Sequence, residues 1–460
     1  MNTFSLELNL PDLLLVIIGL IIFISFITVA VISLFEKEKR AALRAFAFAL
    51  LFPMPYFVIG FLNIFFSSEL SWAVFLITAF VALLILLPID LQREFKFVKP
   101  SGRIDERDVM FSRNELVEGT ARFKDYYKKN PSKKSLDDKF RSAPGLLMPG
   151  STKYDPFMFA SADATFETIE SLKAKVEGET SPDKTEVEPT QISNYIKNWA
   201  RYLGAVDVGV TELKDYHLYS HMGRGERYGK EVSNNHKFAI AFIVEMDFDM
   251  VKRAPAGPIV MESAKEYLHS GILAVQVANF IRRLGYNSRA HIDGNYQVVC
   301  PLVAKDAGLG EIGRIGLLMN SKLGPRLRIS VVTTDMPLVT DKPGNDSSVV
   351  DFCMKCKKCA VACPSRAIPL DTAKNELGEL KHWQINQEAC FTYWCNVGTD
   401  CGRCLAVCPY SHPNNFLHDF VRWGIKNSYL FRQVAVKFDD LLYGKRPSIL
   451  KLADWMNISK

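Results

Sequence analysis

The sequence predicts an apolar helical anchor, an α/β (α+β) body and a cysteine-dense module, in that order along one chain. Three observations carry this prediction. Residues 1–90 contain three long runs without a charge. The middle of the chain alternates helix-like and strand-like patterns. All ten cysteines lie at or after Cys300, most of them closely spaced.

The anchor comes first. Leu13–Phe35, Ala45–Phe66 and Leu70–Ile89 each run about 20 residues or more without a charge, the length that crosses ~30 Å of hydrocarbon. Pro53 and Pro55 predict a kink or a re-entrant segment in the second run. The first run is too long for a cleaved signal, and no basic residue precedes it. The Glu36–Arg44 connection carries Lys37, Lys39, Arg40 and Arg44, whereas Ser67–Glu69 carries no basic residue. Arg93, Lys96, Lys99 and Arg103 follow the third run. The bias of basic residues toward the inside therefore predicts a multi-pass protein of the inner (cytoplasmic) membrane, with everything after Ile89 in the cytoplasm. No twin-arginine pair precedes the first run, so export of a folded, cofactor-loaded body is not expected.

Residues 91–190 are charged and turn-rich and read as an N-terminal extension and linker, with Gly178–Pro189 the exposed part. Residues 191–345 form the body. Ile192–Leu203 has helical spacing, and Val206–Val210, Phe238–Val244 and Leu327–Thr333 read as strands. Ala264–Leu284 is an amphipathic helix with Gly285 placed as its C-terminal cap. Strands separated by helices argue a layered α/β or α+β structure. Residues 413–460 are a helical segment, with one or two helices over Phe416–Tyr443 packing back on the body.

The cysteines occupy residues 346–412. Cys353, Cys356, Cys359 and Cys363-Pro364 make the C-x2-C-x2-C-x3-C-P run of a bacterial two-cluster ferredoxin, whose last cysteine ligates the other cluster. Cys401, Cys404 and Cys408-Pro409 repeat its tail, so one ligand comes from upstream, either Cys390 or Cys395. The interlocked spacing predicts two [4Fe–4S] clusters. Cys353, Cys356, Cys359 and Cys408 would hold one, and Cys363, Cys401, Cys404 and, by preference, Cys390 the other. Structural zinc and disulfides are the rival readings, and two interlocked runs each closed by Cys-Pro argue against both. Cys300 and the unused member of the Cys390/Cys395 pair are then plain buried thiols.

A net charge of +6 is mild, and no basic tract interleaved with aromatics suggests nucleic acid. Asp215–Tyr228 gathers Tyr216, His217, Tyr219, His221, Arg224, Arg227 and Tyr228 between two predicted strands, a place where functional residues concentrate. Arg289, His291 and Asp293 form a second polar knot after the long helix. Gly308, Gly310, Gly313 and Gly316, with Leu309 among them, lie directly upstream of the cysteines. Glycine at that density admits close backbone approach, in a plain turn cluster or against a cofactor. Its spacing follows no predicted strand and is not a dinucleotide fingerprint.

An ordered set of motifs resembles the cobalamin-dependent reductive dehalogenases. It comprises Asp207–Leu213, Tyr219-Ser220, Val244–Asp247, Ala254-Pro255, Phe280–Tyr286, Ala307–Arg314 and Gly324–Arg328 before Cys353, within roughly Asp105 to Pro447. The region of Asp293 and Ala307–Gly310 also resembles epoxyqueuosine reductase, a relative with the same cobalamin domain and two clusters. The resemblance implies a nitroreductase-like cobalamin-binding domain beside the ferredoxin-like one. Electrons would pass through the clusters to cob(I)alamin for reductive removal of halide from an organohalide. By motif order the proton-donating tyrosine is Tyr219, with Tyr228 the next candidate and Arg289 or Arg282 the basic residue steadying its phenolate. His291, Asp293, Gly308, Leu309, Gly310, Gly313 and Gly316 are the implied cofactor contacts. The electron donor would be a membrane quinol system, a ferredoxin or a flavodoxin. Two other readings remain, an epoxyqueuosine-reductase-like enzyme acting on a non-halogenated substrate and an electron-transfer iron–sulfur membrane protein without its own substrate. Unlike the respiratory dehalogenases, which carry a twin-arginine signal and a separate anchor, this chain has spans of its own. Those spans and the mild charge also set it apart from soluble, tRNA-directed epoxyqueuosine reductase.

Overall fold

The uncharged runs become helices because only one proline pair interrupts their backbone hydrogen bonding. In this computed structural model, which describes residues 8–61, 67–89, 95, 98, 100–343, 346–376 and 379–458, the contacts divide into two units. Met1–Arg93 groups with Asn414–Ser448, and Glu94–Pro413 groups with Ile449–Lys460.

The first unit opens with α1 (Leu10–Phe35), which carries Pro11 in its first turn, where the missing N–H is not needed. α2 (Lys39–Leu51) and α3 (Met54–Phe61) are one apolar stretch broken at Phe52-Pro53, the predicted kink. α4 (Ser68–Leu86) is capped by Ser67, whose side chain accepts from the Leu70 amide. Three helical stretches, Leu10–Phe35, Lys39–Phe61 and Ser68–Leu86, are long and apolar enough to cross a membrane. Residues 62–66 of the predicted second run, and Arg93, Lys96 and Lys99, lie outside the described residues.

The second unit begins with the stretch expected as extension and linker, and much of it is helical: α5 (Met110–Asn114), α6 (Ala121–Lys129), α7 (Pro131–Arg141) and α8 (Pro156–Leu172). α8 packs its apolar side on α11, whereas α5, α6 and α7 are tied by a buried ion pair. The Arg113 guanidinium meets Asp137 with both side chains at most 1 % exposed, and the Tyr127 hydroxyl donates to the same carboxylate at 2.6 Å. The Gly178–Pro189 segment is irregular up to Glu188 and runs along the end of the long helix, with the Ser181 and Thr185 amides donating to the Arg282 and Leu284 carbonyls.

The body follows with α9 (Pro189–Tyr202), β1 (Asp207–Glu212), β2 (Phe238–Glu245), α10 (Phe248–Val251), α11 (Gly257–Arg283), β3 (Ser288–His291), α12 (Cys300–Asp306), β4 (Glu311–Ile312), β5 (Leu318–Met319) and β6 (Leu327–Thr334). One sheet has the order β1-β2-β6-β3 with every neighbour antiparallel, and β4-β5 form a separate hairpin. Helices therefore cover both faces of an antiparallel sheet, an α+β arrangement. Ile240, Phe242 and Val332 face α11 and α9, packing on Leu273, Val277, Ile281 and Ile196. Ala239, Ala241, Ile243 and Val331 face α12, packing on Val303 and Ala304. Both faces of β2 are buried, which is why its sequence is a continuous apolar run. α11 starts earlier than its sequence pattern suggested and ends where expected, with Gly285 at φ +84° just beyond it.

Four helices carry the cysteine module: α13 (Ser347–Cys356), α14 (Lys358–Ala362), α15 (Gln387–Val397) and α16 (Arg403–Ala406). The chain then returns to the first unit as α17 (Phe416–Asn427) and α18 (Tyr429–Tyr443). α18 packs on α2 and α4, so the C-terminal pair joins the apolar helices of the first unit.

Candidate redox centre and adjoining cavity

Local backbone turns bring the thiols together. α13 ends at Lys357, whose φ of 54° reverses the chain into α14, so Cys353, Cys356 and Cys359 lie around one bend. Cys401 and Gly402 take φ of 56° and 60° before α16, which carries Cys404. The thiols that act electrostatically on Cys356, Cys359 and Cys408 are drawn from Cys353, Cys359 and Cys408. Those that act on Cys390, Cys401 and Cys404 are drawn from Cys363, Cys390, Cys401 and Cys359. Two adjoining quartets result, touching where Cys359, Cys363 and Cys404 share a cluster with Ile315, Ala360 and Ile368.

Burial pushes these thiols up, Cys390 to about 11 and Cys359 and Cys401 to about 12, and neighbouring thiolates add to the rise. Seven such groups, Cys353, Cys356, Cys359, Cys390, Cys401, Cys404 and Cys408, are costly to ionise on their own and suit an iron–sulfur core, which takes thiolates as ligands. Cys390 and Cys395, five residues apart on α15, point about 140° apart round the helix. Cys395 is 2 % exposed among Met110, Phe140 and Phe391, and Cys300 lies apart as the buried first residue of α12.

The glycine-rich segment lies against the first quartet. It follows α12, with Gly308 at φ +82° just past the helix and Leu309 buried in the core. Gly310 sits so close to β5 that an added Cβ would lie 2.3 Å from the Met319 carbonyl oxygen. At Gly313 an added Cβ would meet the Met319 side chain at 2.4 Å and stand 3.6 Å from Cys353 Sγ. Gly316, at φ +72°, faces the Trp383 backbone. Between them Arg314 donates to the Cys353, Pro369 and Leu370 carbonyls and lies 4.9 Å over the Trp383 ring. None of these five residues lines the large cavity; the segment holds the first thiols through Arg314, which donates to the Cys353 carbonyl.

That cavity, about 930 Å³, lies within the second unit. Phe111, Leu147, Phe166, Val260 and Trp394 give it apolar walls, and Arg224, Arg227, Tyr267, Arg289, Asp293 and Asp400 give it polar ones. Two of these residues abut the second thiol quartet. Trp394 lies on α15 one turn after Cys390, and its side chain lowers that thiol against the trend of burial. Asp400 immediately precedes Cys401. Its Oδ2 accepts from Ser263 Oγ and, at 3.1 Å, from Arg328 Nη2, while its Oδ1 is buried without a hydrogen-bond partner. Arg328 also lies 4.8 Å over the Tyr267 ring. A volume at the upper end of ligand pockets, with an orphaned carboxylate oxygen on its wall, fits a large organic group carrying polar substituents.

The residues expected to be catalytic are dispersed. Tyr219 follows β1, with its amide donating to the Gln297 carbonyl at 2.9 Å and its ring packed against the core under α12. Burial raises its phenol, the charges of Glu106 and Cys300 add to that, and Arg224 opposes them. Arg224 is thus a cation whose charge favours the Tyr219 phenolate. Arg289 lines the cavity but is engaged by Glu177, Asn295 and His291. Arg282 is spent on backbone, donating to the Ser288, Val176 and Lys175 carbonyls and to Asn279. Tyr228 packs with Leu116, Phe123, Tyr126 and Tyr127 beneath Arg122, away from the cavity.

His291 is fully buried, with Nδ1 facing Arg289 and accepting from the Gln297 amide, and Nε2 at 2.9 Å from Thr333 Oγ1. Burial, then Arg289, holds it neutral, so both ring nitrogens are occupied within the protein. Asp293 does reach the cavity, where burial raises its carboxyl against the pull of Arg224 and Lys173. Tyr216 and His217 are tied with Lys214 to Asp306. Tyr267, Trp394 and Asp400 carried no motif. For Asp400 the one sequence signal was its place beside Cys401.

With this geometry in view, comparisons with known proteins are informative. A model described as a 4Fe-4S dicluster domain matches residues 352–412. A tetrachloroethene reductive dehalogenase of Sulfurospirillum multivorans is 32% identical over 309 residues, 59% of this chain and 60% of that protein. One from Desulfitobacterium hafniense is 35% identical over 214 residues, 44% of this chain and 38% of that protein. An epoxyqueuosine reductase of Leadbetterella byssophila is 27% identical over 163 residues, 29% of this chain and 48% of that protein. The chain thus spans about 60% or less of the length of these relatives. The solved structure of a catabolic reductive dehalogenase in complex with 3-bromo-4-hydroxybenzoic acid superposes with a TM-score of 0.62 at 22% identity, over 78% of this chain and 49% of that one. In sequence the chain resembles reductive dehalogenases, and it shares their fold.

Proposed function

We propose that this relative of the reductive dehalogenases is a membrane-anchored oxidoreductase that removes halide from an organohalide. Its α+β body is read as nitroreductase-like, with cobalamin in the 930 Å³ cavity. The cysteine module is read as two [4Fe–4S] clusters, one on Cys353, Cys356, Cys359 and Cys408, the other on Cys363, Cys390, Cys401 and Cys404. A bound cobalamin supplies the reducing centre at which a carbon–halogen bond is broken.

The observation that carries this reading is the shared wall. Asp400 lines the cavity and immediately precedes Cys401, and Trp394 lines it one helical turn from Cys390, so the second quartet adjoins the cavity wall. Tyr267, Asp293, Trp394 and Asp400 would flank the cofactor. The net change takes two electrons and one proton to the carbon as halide leaves. Tyr219, whose ring packs in the core and is not among the residues lining the cavity, is read as the source of that proton from its place in the motif order. Burial raises its phenol, so it stays protonated at neutral pH, and Arg224, which does line the cavity, favours the phenolate left after transfer. Phe111, Leu147 and Phe166 keep water from the reacting carbon.

α1–α4 would cross the inner membrane, with the basic α1–α2 connection and the catalytic body on the cytoplasmic side, where a quinol system, a ferredoxin or a flavodoxin supplies electrons. The test is anaerobic purification of the full chain, with metal analysis and halide release from chlorinated and brominated substrates. The reading requires about eight iron atoms and one cobalt per chain, with halide release under reducing conditions. Iron without cobalt and without halide release would instead make this an electron-transfer protein.

A further inference from the structure

α17 and α18 are amphipathic in the reverse sense for helices facing water. Their protein-facing side carries His418, Arg422 and Arg432, all at most 8 % exposed, and Arg432 Nε donates to the Ile425 carbonyl at 2.9 Å. Their outward side is apolar. On α17, Phe416, Phe420 and Trp423 follow one another at helical spacing and are 71, 48 and 47 % exposed, with Phe420 and Trp423 stacked at 5.9 Å. On α18, Leu430, Val434, Phe438 and Leu441 repeat the pattern. Seven large apolar side chains in two adjoining stripes form a surface that a water-facing protein rarely leaves open.

The ends of α18 show where this surface lies. At its start, Ser428 Oγ donates to the Ile85 carbonyl at 2.7 Å and the Tyr429 amide to Ile89, at the C-terminal end of α4. At its finish, the Leu441 and Leu442 carbonyls accept from Arg44, and the Tyr443 hydroxyl lies 3.3 Å from Ser33 Oγ, at the α1–α2 connection. The end of α4 and the α1–α2 connection belong to the same side of the three spans, because α1 leads to that side, α2–α3 lead away and α4 returns. A helix of about 22 Å pinned to that one side at both ends runs across the spans, not through them. The Phe438 ring reaches Phe26 at 6.1 Å, and Phe26 lies about 13 Å below the end of α1.

We propose that α17 and α18 form an in-plane helical pair seated in the headgroup–acyl boundary of the leaflet on the α1–α2 side, with lipid as the occupant of their apolar stripes. The inference rests on reading α1–α4 as membrane spans. Lipid is favoured because α18 packs beside α4, where Ile77, Phe80, Val81, Leu83 and Leu86 are exposed and Ser71 is the residue buried. The flanking chemistry agrees, with Trp423 at the level where indoles collect and exposed Lys426, Lys437 and Lys445 placed to meet lipid phosphates.

The full chain is reconstituted in nanodiscs of phosphatidylcholine and phosphatidylglycerol that include a phospholipid with a diazirine near the glycerol end of its acyl chain. Photolysis and peptide mass spectrometry then locate the adducts. The expected result is adducts on Phe416–Trp423 and Leu430–Leu441 in yields matching the adjoining ends of α1 and α4. A Val434→Glu/Phe438→Glu variant that keeps its iron should lose the α18 adducts several-fold. Labelled α1 and α4 with unlabelled α17 and α18 would overturn the proposal while leaving the spans intact, as would Lys426 or Lys437 of two copies being joined when the same nanodiscs are treated with an amine-reactive bifunctional crosslinker. No adducts anywhere would overturn the spanning reading itself, and this proposal with it.

Discussion

Replacing Cys390 and Cys395 one at a time separates ligation from packing on a single helix. Cys390 lies in the electrostatic field of Cys363 and acts on Cys401 and Cys404, so Cys390→Ser removes one thiolate from the second quartet. A serine hydroxyl ionises far less readily than a thiol and is a poor iron ligand. Iron should fall from about eight toward about four atoms per chain, with sulfide falling in step. Cys395 is different. It is 2 % exposed among Met110, Phe140 and Phe391, so Cys395→Ser buries a hydroxyl among apolar side chains, with the Phe391 carbonyl one turn back on α15 as its acceptor. That costs roughly 1–3 kcal/mol without touching iron. Cys395→Ala avoids the buried hydroxyl and should cost about 1 kcal/mol or less, since only a small cavity remains. The assays are iron and acid-labile sulfide analysis, the electron paramagnetic resonance of the reduced protein, and thermal denaturation monitored by cluster absorbance. Iron loss in the Cys395 variants with a full complement in Cys390→Ser would refute the assignment.

Tyr219→Phe should leave iron and cobalt unchanged and lower halide release by ~10²-fold or more, the scale of a general-acid contribution; full activity would remove Tyr219 from the mechanism. Arg113→Met leaves the buried Asp137 with the Tyr127 hydroxyl as its remaining donor and should cost about 3–5 kcal/mol. The effect should appear as faster amide exchange in α7 and α15, and a further Asp137→Leu should recover much of it. Glu388 gives a pH signature: burial pushes its carboxyl up, but Lys133, the local backbone and Arg113 outweigh that and hold it at about 2. Its contribution is therefore complete above about pH 4.5 and is lost as pH falls toward 2, so exchange in α15 should accelerate only in that acid window. A reporter fused after Lys460 should be active only if it works in the cytoplasm; protease access to the body from the other face would contradict the orientation.

Legibility in the sequence followed how local each signal was. Cysteine spacing is local, so the thiol set could be read directly, yet the choice between Cys390 and Cys395 depends on which face of α15 meets Cys363. β2 was legible because burial on both faces leaves an unbroken apolar run. The helices between Met110 and Arg141 were misread as turn-rich because the charge that marks their surface hides the Arg113–Asp137 pair beneath. Glu177, from the edge of the predicted linker, occupies Arg289, and a cation favouring the Tyr219 phenolate, Arg224, lies only five residues away in the same polar loop. Tyr267 sits on a helix whose pattern is that of a core-facing stripe, and no periodicity marks such a residue as cavity wall.

The arrangement around Asp400 ties these threads into one physical argument. Gly398, Cys401 and Gly402 all take left-handed φ, and for Cys401 that conformation carries a cost of about 1–3 kcal/mol. A regular helix through these positions would turn Asp400 and Cys401 only about 100° apart. With the left-handed residues, the Cys401 sulfur joins the quartet while Asp400 borders the cavity, clasped by Ser263 of α11 and Arg328 of β6. A sheet strand and the helix packed on it thus hold the residue that precedes a thiol ligand, and the strain at Cys401 is offset by those contacts. Loosening either clasp should shift the second quartet relative to the cavity, so Ser263→Ala should alter the spectrum or potential of the second cluster more than that of the first. Equal effects on both clusters would mean that Asp400 serves the fold alone and does not couple the redox centre to the cavity.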